Sequence, residues 1–250
     1  MLYHSCLDRG HYITNSIYEA NLKAVLSTIS SNKETEIGFY NFFIGTEPDK
    51  VYAIGLCGGN VKPDICRSCL NDSGYRLTQL CPNQEAIGWY DNCMLRFSNR
   101  SIFRKMETEP YMALVNTKNE SDIDGYKLLQ RLFDSMKSEA ASGGSRKFAT
   151  RNSSTIYVLA QCTPDLLEAN CSDCLDQIYR NIPLGTEGGK FYTPSCNYRF
   201  QSYSSPPPPL SASSLPSPTI SPTKGKKKLS PFFFFSLEKC YRHRKMTQNF

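Results

Sequence analysis

Cysteine is the residue type with the most chemistry to offer here, with eleven present among 250 residues. Cys66 and Cys69 stand in C-x2-C spacing, a common zinc half-site, and Cys81 and Cys93 supply two further thiols. Against a metal centre stand the x11 gaps before Cys81 and Cys93, the absence of a histidine nearby, and a second cluster (Cys162, Cys171, Cys174, Cys196) that lacks a fourth thiol in register. Oxidation in pairs accounts for more: the six cysteines from Cys6 to Cys93 make three bridges, and the four of the second cluster make two. Cysteine at this density belongs to an oxidising compartment. The only histidines are His4, His11 and His243, and no nucleophile, base and orienting acid stand at a mechanistic spacing. The pairs Gly143-Gly144 and Gly188-Gly189 read as turns rather than phosphate cradles. No enzyme activity, cofactor or metal is expected.

The elements that position these cysteines form a tandem repeat. Cys57, Cys66 and Cys69 follow C-x8-C-x2-C, and Cys162, Cys171 and Cys174 repeat it. Ahead of the first triplet, Leu22, Val25, Leu26 and Ile29 make one helical stripe. Leu129, Leu132, Phe133 and Met136 make another ahead of the second. Ser16 and Glu19 form a capping box at the start of the first helix. Val51–Ile54 and Ile156–Leu159 read as buried strands running into Cys57 and Cys162. Second helices are introduced by Pro63-Asp64 and Pro164-Asp165. Each copy closes on a strand holding Cys93 or Cys196, followed by Arg96-Phe97 or Arg199-Phe200.

Charge and composition bound the function. The net charge of +6 is misleading, because residues 1–223 carry 21 basic and 22 acidic side chains and the excess lies in the last 27 residues. The folded part gives no electrostatic case for nucleic acid. From about Ser204 a Pro/Ser-rich run and then Lys226-Lys227-Lys228 read as a linker and a basic, unstructured tail, with Cys240 alone in it. The expected division is residues 1–104, 105–203 and 204–250. No transmembrane segment is expected, since the patch around Phe232–Phe235 falls short of the about 18 residues a span needs. Met1–Cys6 show no signal peptide, so the expectation is export with the leader absent from this sequence. Sequons at Asn71, Asn99, Asn119 and Asn152 agree with the secretory route.

Cys6…Cys57-x8-Cys66-x2-Cys69…Cys81…Cys93, with Leu80-Cys81-Pro82-Asn83 and Trp89-Tyr90-Asp91, resembles the ginkbilobin-like, or stress-antifungal, domain of plants. Phe148-Ala149-Thr150, Gln161-Cys162-Thr163-Pro164-Asp165-Leu166 and Pro194–Phe200 resemble its second copy, and the likeness covers about residues 2–203. Such tandems occur in ectodomains of cysteine-rich receptor-like kinases, in cysteine-rich repeat secretory proteins and in plasmodesma-located proteins.

The resemblance implies an α+β fold, each copy having two helices packed on an antiparallel sheet of about five strands. It also implies the pairs Cys6–Cys81, Cys57–Cys66, Cys69–Cys93, Cys162–Cys171 and Cys174–Cys196. It further implies an apoplastic recognition role in stress or defence, with a partner ectodomain or a cell-wall glycan as ligand and homo- or hetero-association open. A truncated receptor-kinase ectodomain, lacking span and kinase, is an equal alternative. Mannose-binding antifungal members use an Asn after the first cysteine, an Arg six before the last and a Glu five after it. In copy one those positions hold Leu7, Ile87 and Ser98, which cannot reproduce the set. In copy two the last two hold Lys190 and Gln201, which keep a charge and an amide but lose the planar fork and the strong acceptor. Lys190 and Gln201 are therefore the candidate ligand residues, with plain exposed strand positions as their ordinary reading.

The bridges make the copies unequal. By chain entropy a loop as long as Cys6–Cys81 contributes about 4.5 kcal/mol and one as short as Cys57–Cys66 about 2.5–3 kcal/mol. Copy two should unfold at lower denaturant than copy one, and equal midpoints for the two isolated copies would contradict this.

Overall fold

In the computed structural model, residues 1–33, 37–117, 123–152, 156–183 and 186–202 are described. Copy one runs β1 (Tyr3–His11), α1 (Ile17–Ser31), β2 (Phe39–Ile44), β3 (Val51–Cys57), α2 (Pro63–Leu80), β4 (Asn83–Trp89) and β5 (Cys93–Ser98). Copy two repeats the order with β6 (Met112–Thr117), α3 (Ile123–Ser142), β7 (Phe148–Asn152), β8 (Ile156–Cys162), α4 (Glu168–Arg180), β9 (Thr186–Tyr192) and β10 (Cys196–Ser202). Each copy is one antiparallel five-stranded sheet with two helices on one face. The strand orders are β1-β4-β5-β3-β2 and β6-β9-β10-β8-β7.

The helical stripes do what their spacing predicts. Leu22, Val25 and Ile29 are fully buried, as are Phe133 and Met136 in copy two. The first helix is capped by Ser16, whose hydroxyl accepts from the Glu19 amide at 3.2 Å. Glu19 itself accepts from the Asn15 amide at 2.7 Å rather than from Ser16, so the box is shifted by one residue. The second helix of copy two also starts later than Pro164-Asp165 suggests. A turn closed by the Leu166 amide on the Thr163 carbonyl precedes it, and Leu166 is buried there. The cysteines pair as Cys6–Cys81, Cys57–Cys66, Cys69–Cys93, Cys162–Cys171 and Cys174–Cys196. Four of these staple a helix to its sheet; Cys6–Cys81 ties edge strand β1 to the end of α2. Among the described residues no helix is long and apolar enough to cross a membrane.

A third core joins the copies. On the face of the first sheet turned away from its helices, Ile54, Leu56, Ile87, Trp89 and Met94 are buried against Ile102 of the connection and Met112 and Tyr192 of copy two. This explains why β3 is buried on both sides along most of its length, which a sheet with one wet face would not be. Gly59 permits the close approach: a Cβ there would lie 2.4 Å from the Phe148 ring of copy two.

An ion network fastens the connection onto the same face. Arg96, 3% exposed, reaches both Glu85, 0% exposed, at 2.6 Å and Glu107 of the connection. Arg100 bonds the same two carboxylates at 2.9 and 2.6 Å, and Ser98 donates to Glu85 at 3.0 Å. A charge removed from water this fully is tolerable only with such partners. Burial pushes the Glu107 carboxyl up, but hydrogen bonds and charge from Arg100 and Arg96 outweigh it and hold it at about 2. Burial opposes ionisation of Glu85 too, and Arg96 and Arg100 hold it below its ordinary value.

Two outcomes follow for the joint. Gly59→Ala should overpack the Phe148 contact at about 1–3 kcal/mol. Trp89 is the only tryptophan and is buried in the joint, so its emission should shift to the red; unchanged emission and stability would contradict the contact. The Glu107 carboxyl is depressed in the folded chain, so its contribution is present above about 4.5 and lost as pH falls toward about 2. Glu107→Gln should therefore cost about 2–3 kcal/mol at neutral pH, and the difference from wild type should close across that acid window in urea titrations.

Candidate functional site

Strands β9 and β10 place Lys190 opposite Arg199, Gly188 opposite Gln201 and Tyr192 opposite Asn197. Phe191, Tyr198 and Phe200 point to the helices and fill the core of copy two. Alternation therefore puts Lys190, Tyr192, Asn197, Arg199 and Gln201 together on the opposite face. That face meets copy one.

The turn between β4 and β5 of copy one docks on it. Lys190 Nζ donates to Asp91 Oδ1 at 2.9 Å, and Arg199 Nη1 donates to the Asp91 carbonyl at 2.9 Å. The Arg199 guanidinium lies 5.0 Å from the Tyr192 ring centroid, a cation–π contact. Burial pushes the Tyr192 phenol up to about 12, so it stays neutral. Deeper in, Gln161 Nε2 donates to the Cys57 carbonyl at 2.9 Å and Trp89 Nε1 to the Thr193 carbonyl at 3.3 Å. At the rim, the Arg104 amide donates to Asp165 and the Glu107 amide to Ser195 Oγ.

Between these contacts lies a cleft lined by Leu56, Trp89, Gln161, Tyr192, Asn197 and Arg199, of ≈ 20 Å³. That volume suits about one water molecule and excludes a sugar ring. Asn197, buried in its wall, has an Oδ1 that accepts no hydrogen bond from the described residues.

The predicted ligand residues thus share one face but do not make a pocket. Lys190 is engaged by copy one. Gln201 is exposed, donates to the Ser202 carbonyl, and lies across Gly188, where a Cβ would fall 2.6 Å from its Oε1. In copy one the corresponding positions are covered: Ile87 is in the shared core and Ser98 is bonded to Glu85. Asp91, Gln161, Arg199 and Asp165 all fall in runs that the sequence marks, Trp89-Tyr90-Asp91, Gln161–Leu166 and Arg199-Phe200, but their roles depend on the other copy and spacing does not reveal them.

A four-thiolate zinc set from Cys66, Cys69, Cys81 and Cys93 is excluded, because Cys69 and Cys93 are bonded to each other, Cys66 to Cys57 and Cys81 to Cys6. His4 has a ring nitrogen within 4.8 Å of the Cys6 and Cys81 sulfurs, but these are bonded to each other and offer no thiolate. Of the sequons, Asn71 is exposed on α2 and Asn152 is exposed at the end of β7. Asn99 is half-buried with its Nδ2 on Gln84 Oε1 at 2.8 Å, and Asn119 lies outside the described residues.

Comparison with known proteins agrees with this architecture. The salt stress response/antifungal family matches twice, over residues 5–100 and 115–203. Cysteine-rich receptor-like protein kinase 29 of Arabidopsis thaliana is 40% identical over 213 residues, covering 80% of this chain and 31% of that protein. Putative cysteine-rich receptor-like protein kinase 20 of the same plant is 37% identical over 211 residues, covering 81% and 32%. The chain thus spans about a third of the length of these relatives. The crystal structure of the tandem DUF26 ectodomain of the Arabidopsis cysteine-rich receptor-like protein PDLP8 superposes with a TM-score of 0.69 at 21% identity, covering 80% of this chain and 97% of that one. The ectodomain of PDLP5 gives 0.64 at 21% identity, covering 80% and 98%. The paired family matches, the five bridges and the two repeated sheets lead to one conclusion: this chain belongs to the salt stress response/antifungal family, as a tandem of two such domains related to receptor-like kinase ectodomains.

Proposed function

We propose that the chain is a non-enzymatic, extracellular recognition module of plant stress or defence signalling. In this reading its two domains, 1–104 and 105–203, act as one body and bind the ectodomain of a partner protein. The observation that carries it is that three of the positions aligned with the family's sugar-binding residues are taken up by the chain itself, with Gln201 left exposed. Lys190 is held on Asp91, while Ile87 and Ser98 are buried beneath copy two and its connection. Recognition then falls to the outer surfaces of a docked pair, which suits a protein partner better than a small ligand.

Several features support placement outside the cell. Five disulfides persist in oxidising compartments, and the relatives are receptor-like proteins. N-glycans at Asn71, Asn99, Asn119 and Asn152 belong to the same reading, and the exposure of Asn71 and Asn152 favours those two.

A mannose-binding role is the second reading, favoured by one observation. Lys190 and Asp91 are 44% and 64% exposed, so their ion pair is a surface contact worth under about 1 kcal/mol, and a sugar can displace it beside the exposed Gln201.

Binding assays of the purified chain against plant receptor ectodomains and a glycan array separate the two. A saturable protein partner, with a thermal midpoint unmoved by excess mannose, is expected. A mannose-dependent rise in midpoint that Lys190→Ala abolishes would overturn the first reading in favour of the second.

A further inference from the structure

The two sheets have four edge strands between them, and three are defended against pairing with another chain. Edge β1 carries Asp8 and Arg9 and breaks register between Leu7 and His11. Edge β6 breaks register at Asn116 and has Met112 in the shared core. Edge β7 ends in Arg151, paired with Glu139 at 2.7 Å, and the exposed Asn152. Charges and bulges of this kind are how native sheets keep their edges single.

The fourth edge, β2, has no such device. Phe39–Ile44 (Phe-Tyr-Asn-Phe-Phe-Ile) contains no charge and no proline, and pairs with β3 over six consecutive positions without a bulge. Apolar surface is left open on both of its faces. Phe43 is 55% exposed, while Phe42 and Ile44 are only half-covered at the rim of the copy-one core. The repeat supplies its own comparison, because β7 holds the same place in the second sheet and is polar where β2 is apolar.

The exposed side of β2 is also continuous with the joint between the copies. Phe103 and Tyr52, both packed on the shared core, have ring centroids 5.4 Å apart, and Phe43 follows Tyr52 at 5.8 Å. An aromatic row therefore runs from the buried interface out to the free edge. Lys50, the only cation stacked on this row among the described residues, lies over the Phe43 ring at 4.1 Å and leaves the strand itself uncharged.

We propose that β2 is a self-association edge, and that its occupant is β2 of a second copy of this chain. Antiparallel pairing about a two-fold axis is isologous, so the strand must complement itself. A strand with no charged residue does so without like-charge clashes, and its unpaired backbone groups supply the ladder. Keeping like faces together allows a register with Asn41 opposite Asn41 or one with Phe42 opposite Phe42. Either covers Phe43, and the result is a continuous ten-stranded sheet across two copy-one domains. One strand pair buries little area, so the dimer belongs to the transient class.

The test is sedimentation of the full chain, in its oxidised form, across a concentration series. The mass should rise from 28.3 kDa toward twice that value as concentration rises. Phe43→Lys, at an exposed position, should abolish the rise while leaving the circular dichroism and all five bridges unchanged. In a Cys240→Ser background, Asn41→Cys or Phe42→Cys should give a covalent dimer on mild oxidation, whichever register is used. A wild-type chain that stays monomeric throughout overturns the proposal. So does a dimer that survives Phe43→Lys, or one that neither cysteine cross-links.

Discussion

The outer face of the first sheet is too apolar to meet water, and that constraint organises the rest of the chain. A sheet with helices on one side usually leaves a polar face on the other. Here Ile54, Leu56, Ile87, Trp89 and Met94 occupy that side and are buried by Met112, Tyr192 and Ile102. The second copy is therefore part of the first copy's fold. Its own corresponding face is polar, with Gln161, Lys190, Asn197 and Arg199, which lets it reach copy one through hydrogen bonds and one small apolar wedge.

This asymmetry accounts for where the charges go. Arg96 and Arg199 hold the same place in the repeat but do different work. Arg96 is sealed under the connection with two carboxylates, while Arg199 stacks on Tyr192 and grips a backbone carbonyl of the partner domain. One arginine locks the connection and the other locks the docking turn. Copy two, with two bridges against three, gains in return a neighbour that covers part of its sheet. The contacts that hold the domains together also engage Lys190 and cover Ile87 and Ser98, while Gln201 stays exposed.

Much of the fold was legible because its signals are local. Helical stripes such as Leu22–Ile29, the strands leading into Cys57 and Cys162, and the repeated cysteine offsets need only neighbours in sequence. The cysteine pairs were accessible only through family resemblance, since spacing leaves fifteen pairings open for six cysteines. Local signals misled in detail at helix starts: Asp165 reads as a helix opener but accepts from the Arg104 amide, 61 residues away. The candidate site was the least legible part. Lys190 and Gln201 share a face as strand alternation requires, yet Lys190's partner Asp91 is 99 residues distant and no periodicity encodes it.

The central claim is that the two copies form one body through the shared core, and backbone 15N relaxation of the intact chain tests it most directly. Both copies should report one rotational correlation time and one diffusion tensor, that of a particle containing both domains. Two separate, shorter correlation times would show beads on a flexible connection, and a recognition surface built jointly from both copies would no longer stand.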